Sequence, residues 1–107
     1  MTVIDTAPLG GATTSVPTLV HLSGNIGIFT TARLRQRLIN TLDHSTDLLV
    51  LDLSQVTFCG PGGIGVLIGV QGRARALGIT LALTGVPPFM ARLLRGAGLD
   101  HRFPIMA

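Results

Sequence analysis

The sequence predicts an α/β domain, a central mixed β-sheet of about four strands with about three helices packed on it. Three observations carry that expectation. Asp47 to Leu53 is a nearly unbroken apolar run of strand length, the pattern of a strand covered on both faces. Ala32 to Leu42 repeats its apolar residues at helical spacing, with Leu34, Leu38, Ile39 and Leu42 on one face. Between that first run and the next, Ile79 to Thr84, lie a glycine turn and a second helical stretch, which makes a βαβ unit with its two strands parallel and its crossover right-handed.

The elements follow in order. Val3 to Thr6 can form a short edge strand, and residues 8 to 15 (Pro-Leu-Gly-Gly-Ala-Thr-Thr-Ser) have turn and loop chemistry. Thr18 to Ser23 is β-rich and closes on Gly24. In the helix that follows, Thr30 or Thr31 can accept the free N–H groups of the first turn, and Arg33, Arg35, Gln36 and Arg37 give it a solvated side. Asp47 to Leu53 should lie at the sheet centre; after Ser54 to Cys59 comes Gly60-Pro61-Gly62-Gly63, with Cys59 at a strand end beside that turn. A second helix then runs to about Leu77 and turns at Gly78. The last helix begins at Pro87 or Pro88, suited to a first turn, and stops at Gly96 or Gly98.

Composition sets the boundaries of function. The chain has 107 residues, of which 47% are apolar and 12% charged, enough for one compact domain and too little for a multidomain enzyme. A single cysteine forms no internal disulfide, which favours a reducing compartment. Met1 to Ser15 lacks the basic and apolar regions of a secretory signal. The longest apolar stretch, Gly62 to Val70, holds four glycines and is about half the span that a membrane helix needs. No membrane insertion and a cytoplasmic location are therefore expected.

The net charge of +3 arises from eight basic and five acidic residues, all of them Arg and Asp. The arginines fall in small groups on separate segments, with no Tyr or Trp to stack bases, so nucleic acid is not an expected partner.

Few residues point to chemistry. Gly60 to Gly65 formally matches G-x-G-x-x-G between a strand and a helix, but no acidic residue follows in Thr80 to Val86 to hold a ribose. A plain glycine turn is the better reading, and no cofactor is expected. Cys59 beside that turn could display a nucleophile, but no base is placed for it. His21, His44 and His101 show no metal-ligand spacing, and Asp52 and Asp100 suit the anchoring of local turns. Gly65, Gly69, Gly72 and Ala76 lie on one helical face, and each interior glycine costs about 0.8 to 1 kcal/mol relative to Ala. That cost has two readings, close packing of the helix on the sheet or a smooth docking face for a partner.

Four segments, in order and spacing, resemble one family. They are Gly24-Asn25-Ile26-Gly27 after a strand, Leu51 to Phe58 (Leu-Asp-Leu-Ser-Gln-Val-Thr-Phe), Gly63-Ile64-Gly65-Val66-Leu67, and Gly98 to Phe103 (Gly-Leu-Asp-His-Arg-Phe). Together they are similar to the STAS domain, the module of sulfate transporters and anti-sigma-factor antagonists, over about residues 16 to 105. The resemblance implies a single STAS-like domain at 16–107, preceded by an edge strand and loop at 1–15. It also implies a bacterial signalling protein that binds a serine-kinase-like anti-sigma factor and so releases a sigma factor.

In the family the segment before this helix usually reads Asp-Ser-Ser-Gly, and its first Ser accepts phosphate, whose charge and bulk block docking. Here Gly60 stands for the Asp, Pro61 for the phosphorylated Ser, Gly62 for the second Ser and Gly63 for the Gly. Gly27 stands where the family's Gly-Glu-Leu-Asp ends in an Asp near the acceptor. Pro61 has no hydroxyl, so the usual switch is lost at that position, and Thr57, Ser54 or Thr30 are the alternative hydroxyls.

The expected function is a non-enzymatic regulator that docks on an anti-sigma factor through Gly27, Gly60, Pro61, Gly62, Gly63 and Gly65, without the serine switch. A homodimer is compatible with it. The alternative is an accessory STAS subunit of a transporter or signalling assembly. A small-ligand sensor or enzyme using the glycine turn and Cys59 is a third.

Overall fold

The structure, a computed structural model, describes residues 3–8, 18–27, 31–43, 47–99 and 101–106, with the backbone alone at 3–8 and 106. Among these residues the elements run β1 (Val3–Pro8), β2 (Thr18–Ile26), α1 (Thr31–Asp43), β3 (Leu48–Cys59), α2 (Pro61–Ala76), β4 (Thr80–Thr84), α3 (Pro88–Gly96) and β5 (Ile105–Met106). The five strands stand in sequence order, β1-β2-β3-β4-β5. β1 is antiparallel to β2, and β2 through β5 are parallel. The mixed sheet and three helices thus match the expectation, and β5, only two residues long, adds a fifth strand to the four expected. The Thr30 cap, His44, Asp100 and most of the 8–15 loop lie outside the described residues.

Strand order decides where the core sits. When each parallel strand is added on the same side of the last, right-handed crossovers bring every connecting helix to the same face of the sheet. Val20 and Leu22 of β2, Leu49, Leu51 and Leu53 of β3, and Leu81 and Leu83 of β4 alternate inward. They form one cluster with Leu34, Leu38 and Leu42 of α1, Val66, Leu67 and Val70 of α2, and Met90 and Leu94 of α3. Val50 and Ala82 alternate with these residues and are buried as well, so the start of β3 is covered on both faces, as its apolar run implies.

β3 is longer than the sequence suggests. Beyond the apolar run that ends at Leu53, Ser54–Cys59 continues the strand, because two irregularities let it keep pairing with β2. His21 and Ser23 face Asp52 and Gln55, and Gly24 and Asn25 face Val56 and Phe58, so β3 carries an extra residue at each place. The inward positions then fall at Leu53, Val56 and Cys59, every third residue in place of every second.

Both later helices end in the same way. Gly78 and Gly98 take φ of +73°. In each case the glycine N–H and the next N–H return to the last turn, Gly78 to Arg75 and Ile79 to Ala74, Gly98 to Arg95 and Leu99 to Leu94. This left-handed stop reverses the chain without the steric penalty a side chain would meet. A polar clasp fixes the far end of α2. Gln71, buried, donates from Nε2 to the Arg102 carbonyl and accepts from Arg102 Nε, tying α2 to the segment before β5.

Candidate functional site

The site is built where β2 and β3 end and α2 begins. Ile26 and Cys59 are register partners, and the Gly60 N–H donates to the Ile26 carbonyl at 3.1 Å, locking the turn to the end of β2. Gly60 is the N-cap in extended conformation with no side-chain cap, and Pro61 opens the helix, where its missing N–H costs no helical bond. The Gly63 and Ile64 N–H groups both return to the Gly60 carbonyl.

Gly63 is required by space. A Cβ there would stand 2.6 Å from Cys59 Sγ, 2.8 Å from Ile26 Cγ2 and 3.3 Å from the Ile26 carbonyl oxygen. The neighbouring glycines are not so confined: Gly62 meets only Thr31 Cγ2 at 3.3 Å, and Gly60 only the Phe58 ring at 3.5 Å. At Gly65, Gly69 and Gly72 a Cβ meets nothing within 4 Å. Gly65, Gly69, Gly72 and Ala76 are all exposed, so the reading in which this stripe packs closely on the sheet is wrong. Gly63, Val66, Leu67 and Val70 are the residues that α2 turns inward.

The structure therefore divides the sequence candidates. Gly60 and Gly63 meet at the strand ends, and Gly27 follows directly on Ile26. Gly62 and Gly65 face solvent and line a groove of about 340 Å³ with Thr31, Ala32, Arg35 and Val66 of α1 and α2. Gly60 and Pro61 line a second groove of about 440 Å³ with Phe58, Phe89, Arg92 and Leu93. The first turn of α2 is thus a ridge between two grooves. Residues 28–30, between Gly27 and α1, lie outside the described residues.

The second groove is the part that sequence reasoning missed. Phe58 is 52% exposed and Leu93 43% exposed, large apolar side chains set side by side in water. Phe89 and Leu93 are spaced i, i+4 on α3, one residue before the core pair Met90 and Leu94. That double spacing was the available signal.

Cys59 is not a displayed nucleophile. It is 3% exposed, its thiol donates to the Gly60 carbonyl at 3.7 Å, and burial pushes its pKa up to about 11. A thiolate is the reactive form, so the folded protein is expected to leave Cys59 unmodified by iodoacetamide at neutral pH, with one thiol appearing on denaturation. Rapid stoichiometric alkylation of the folded chain would contradict this.

His21 and Asp52 pair across β2 and β3. The imidazole Nδ1 and carboxylate Oδ2 are 2.9 Å apart, and the Ser54 N–H donates to Oδ1 at 2.9 Å. Asp52 thereby holds a backbone group at the point where the extra residue disturbs the ladder, the anchoring role expected of it. Burial acts to raise the Asp52 pKa, but the Ser54 N–H and hydroxyl and His21 outweigh it, and the carboxyl lies below its ordinary value. A depressed folded-state pKa adds stability that is present above the unfolded value, about 3.9, and is lost as pH falls through the folded one. Thermal melts from pH 7 to pH 2 should show this acid loss in the wild type and a smaller one in Asp52→Asn. An identical pH profile for the two would contradict it. His101 is exposed in a turn, and among the described residues no three His, Cys, Asp or Glu gather as metal ligands.

Charge is segregated. The described helices carry Arg33, Arg35, Arg37, Arg73, Arg75, Arg92 and Arg95, all exposed, against Asp43 alone, which lies 3.9 Å from Arg73.

Comparison with known proteins agrees with this fold. A family model described as "Mlab, STAS domain" matches residues 10–106. The anti-sigma factor antagonist SpoIIAA in its unphosphorylated form superposes with a TM-score of 0.73 at 14% identity, covering 94% of this chain and 89% of that one. An anti-sigma factor antagonist from Mycobacterium paratuberculosis gives 0.73 at 25% identity, with 94% and 85% covered. A sulfate transporter family protein from Wolinella succinogenes gives 0.65 at 20% identity, with 78% and 68% covered.

Proposed function

Since the chain belongs to the STAS domain family, we propose that it is a non-enzymatic, cytoplasmic protein-binding regulator of the anti-sigma factor antagonist kind, which docks on an anti-sigma factor without a serine phosphorylation switch. The observation that carries this reading is the ridge at the start of α2. Gly62 and Gly65 present no side chain there and a groove lies on either side, while the sequence resemblance puts Pro61 in the place of the family's phosphorylated Ser. A partner backbone can approach such a ridge closely, and nothing at Pro61 can accept phosphate to repel it.

The structure of an antagonist from Mycobacterium paratuberculosis, 25% identical over most of both chains, supports the same choice. The burial of Cys59 argues against the sensor or thiol-enzyme reading, and no described helix is long and apolar enough to cross a membrane. Gly27 and Gly60 complete the docking surface at its strand ends.

Phosphorylation tests the lost switch. Incubated with an anti-sigma serine kinase and labelled ATP, the wild type should stay unlabelled, whereas Gly60→Asp with Pro61→Ser should gain label. Label on the wild type would assign the acceptor to another hydroxyl, such as the exposed Ser54 or Thr57, and end the argument for a lost switch.

A second reading, an accessory subunit of a transporter or signalling assembly, is favoured by the exposure of Phe58 and Leu93, since a permanent partner commonly covers such side chains. Steady co-purification with one subunit would select it.

A further inference from the structure

Resting on the docking reading above, we propose that the partner segment received by this surface is an acidic amphipathic helix, with an apolar side chain seated between Phe58, Phe89 and Leu93 and carboxylates against Arg92 and Arg35. Three observations carry it. First, the groove beside Pro61 is walled by apolar side chains yet rimmed by Arg92, and the groove across the ridge is rimmed by Arg35. Each site thus pairs an apolar surface with one cation. Second, the helix layer exposes seven arginines and one aspartate, a surface that attracts an acidic partner and steers its approach.

Third, the grooves lie between helices, whereas the sheet edges belong to β1 and β5. A partner here cannot add a strand to the sheet. A helix offering anchors at i, i+3 or i+4 and i+7 is the element that fits a groove of this kind.

The same charges argue against other occupants. A second copy would bring two arginine-rich layers together, and like charges across an interface oppose association. Single-stranded nucleic acid is drawn to arginines but binds by stacking on aromatic platforms. Here Phe58 alone stands exposed as such a platform, Phe89 beside it is half-buried, and the chain has no Trp or Tyr.

The test is panning of a random helical peptide library on the full-length folded protein. Leu93→Asp and Arg92→Glu are the disrupting variants, and Leu77→Asp is the control, because Leu77 is equally exposed, at 43%, but lies at the far end of α2. All three positions are exposed, and a circular dichroism melt verifies that each variant folds. The retained pool should be rich in Asp and Glu opposite an apolar face. Its binding should fall by about tenfold or more, roughly 1.4 kcal/mol, in Leu93→Asp and Arg92→Glu and stay unchanged in Leu77→Asp.

A basic or neutral pool, no enrichment, or a pool indifferent to Leu93→Asp would overturn the proposal. So would tighter binding of random single-stranded RNA, or sedimentation of the wild type as a dimer that Leu93→Asp dissolves. If a captured partner is lost on substitution of Gly65 but kept by Leu93→Asp and Arg92→Glu, the docking reading stands and this inference falls. If substitution of Gly65 also leaves the partner bound, both fall.

Discussion

Gly63→Leu should cost about 3 kcal/mol or more of stability, the upper end of what overpacking a core does, and lower the thermal midpoint by about 12 °C or more in a domain of this size. The first added carbon already falls 2.6 Å from Cys59 Sγ and 2.8 Å from Ile26 Cγ2. Both neighbours are themselves buried, so neither can swing into solvent. Behind them stands the Ile26 carbonyl, which accepts the Gly60 N–H; pushing it away breaks the bond that locks the turn. The gain in helix propensity, about 1 kcal/mol on removing a glycine, offsets only part of this. Gly65→Ala should have the opposite sign, because that Cβ meets nothing and only the propensity gain remains. Urea titration of the two variants checks both signs at once. A Gly63→Leu chain as stable as the wild type would mean that α2 does not pack on the strand ends as described.

Substitution at Gly65 should weaken docking by about thirtyfold or more while leaving the fold intact. The position is exposed and open, so either Arg or Glu can be placed there without strain and should raise stability slightly. On the ridge, however, either side chain holds a partner away from both grooves. Loss of a central contact typically costs about 2 kcal/mol or more, roughly a thirtyfold weakening. The pair of signs matters: steric separation weakens binding with Arg and with Glu alike, whereas a purely electrostatic effect weakens it with Glu alone. Equilibrium titration of the two variants against a purified partner separates these outcomes. Binding unaltered in both would remove the ridge from the interface.

Much of this fold is legible in the sequence because each element carries its own period and its own stop. Leu34, Leu38 and Leu42 mark the buried face of α1, and Gly78 and Gly98 mark the ends of α2 and α3 by the left-handed conformation they adopt. β3 hides its second half for a physical reason. Two extra residues break its alternation, so Leu53, Val56 and Cys59 face inward at intervals of three, a pattern that resembles neither a strand nor a turn when read along the chain. β5 is too short to carry any period.

The site is half legible. Glycines announce a turn, but Gly63, Gly62 and Gly65 look alike in sequence, and only the neighbours of the missing Cβ tell the packed glycine from the exposed ones. The apolar groove escaped because Phe58 belongs to the hidden half of β3 and Leu93 adjoins a core leucine on α3. Charge segregation was likewise invisible. Arginine clusters on separate segments become one surface only when unidirectional strand order puts every helix on the same face.

The most direct measurement is affinity capture of the tagged protein from its native cytosol in the presence of ATP, with mass spectrometry of what is retained by the wild type, Gly65→Arg and Gly65→Glu. The expected result is a serine-kinase-like anti-sigma factor held by the wild type and missing from both variants. A transport ATPase in its place, or the same proteins held equally by all three chains, would contradict phosphate-independent docking on an anti-sigma factor through the α2 ridge.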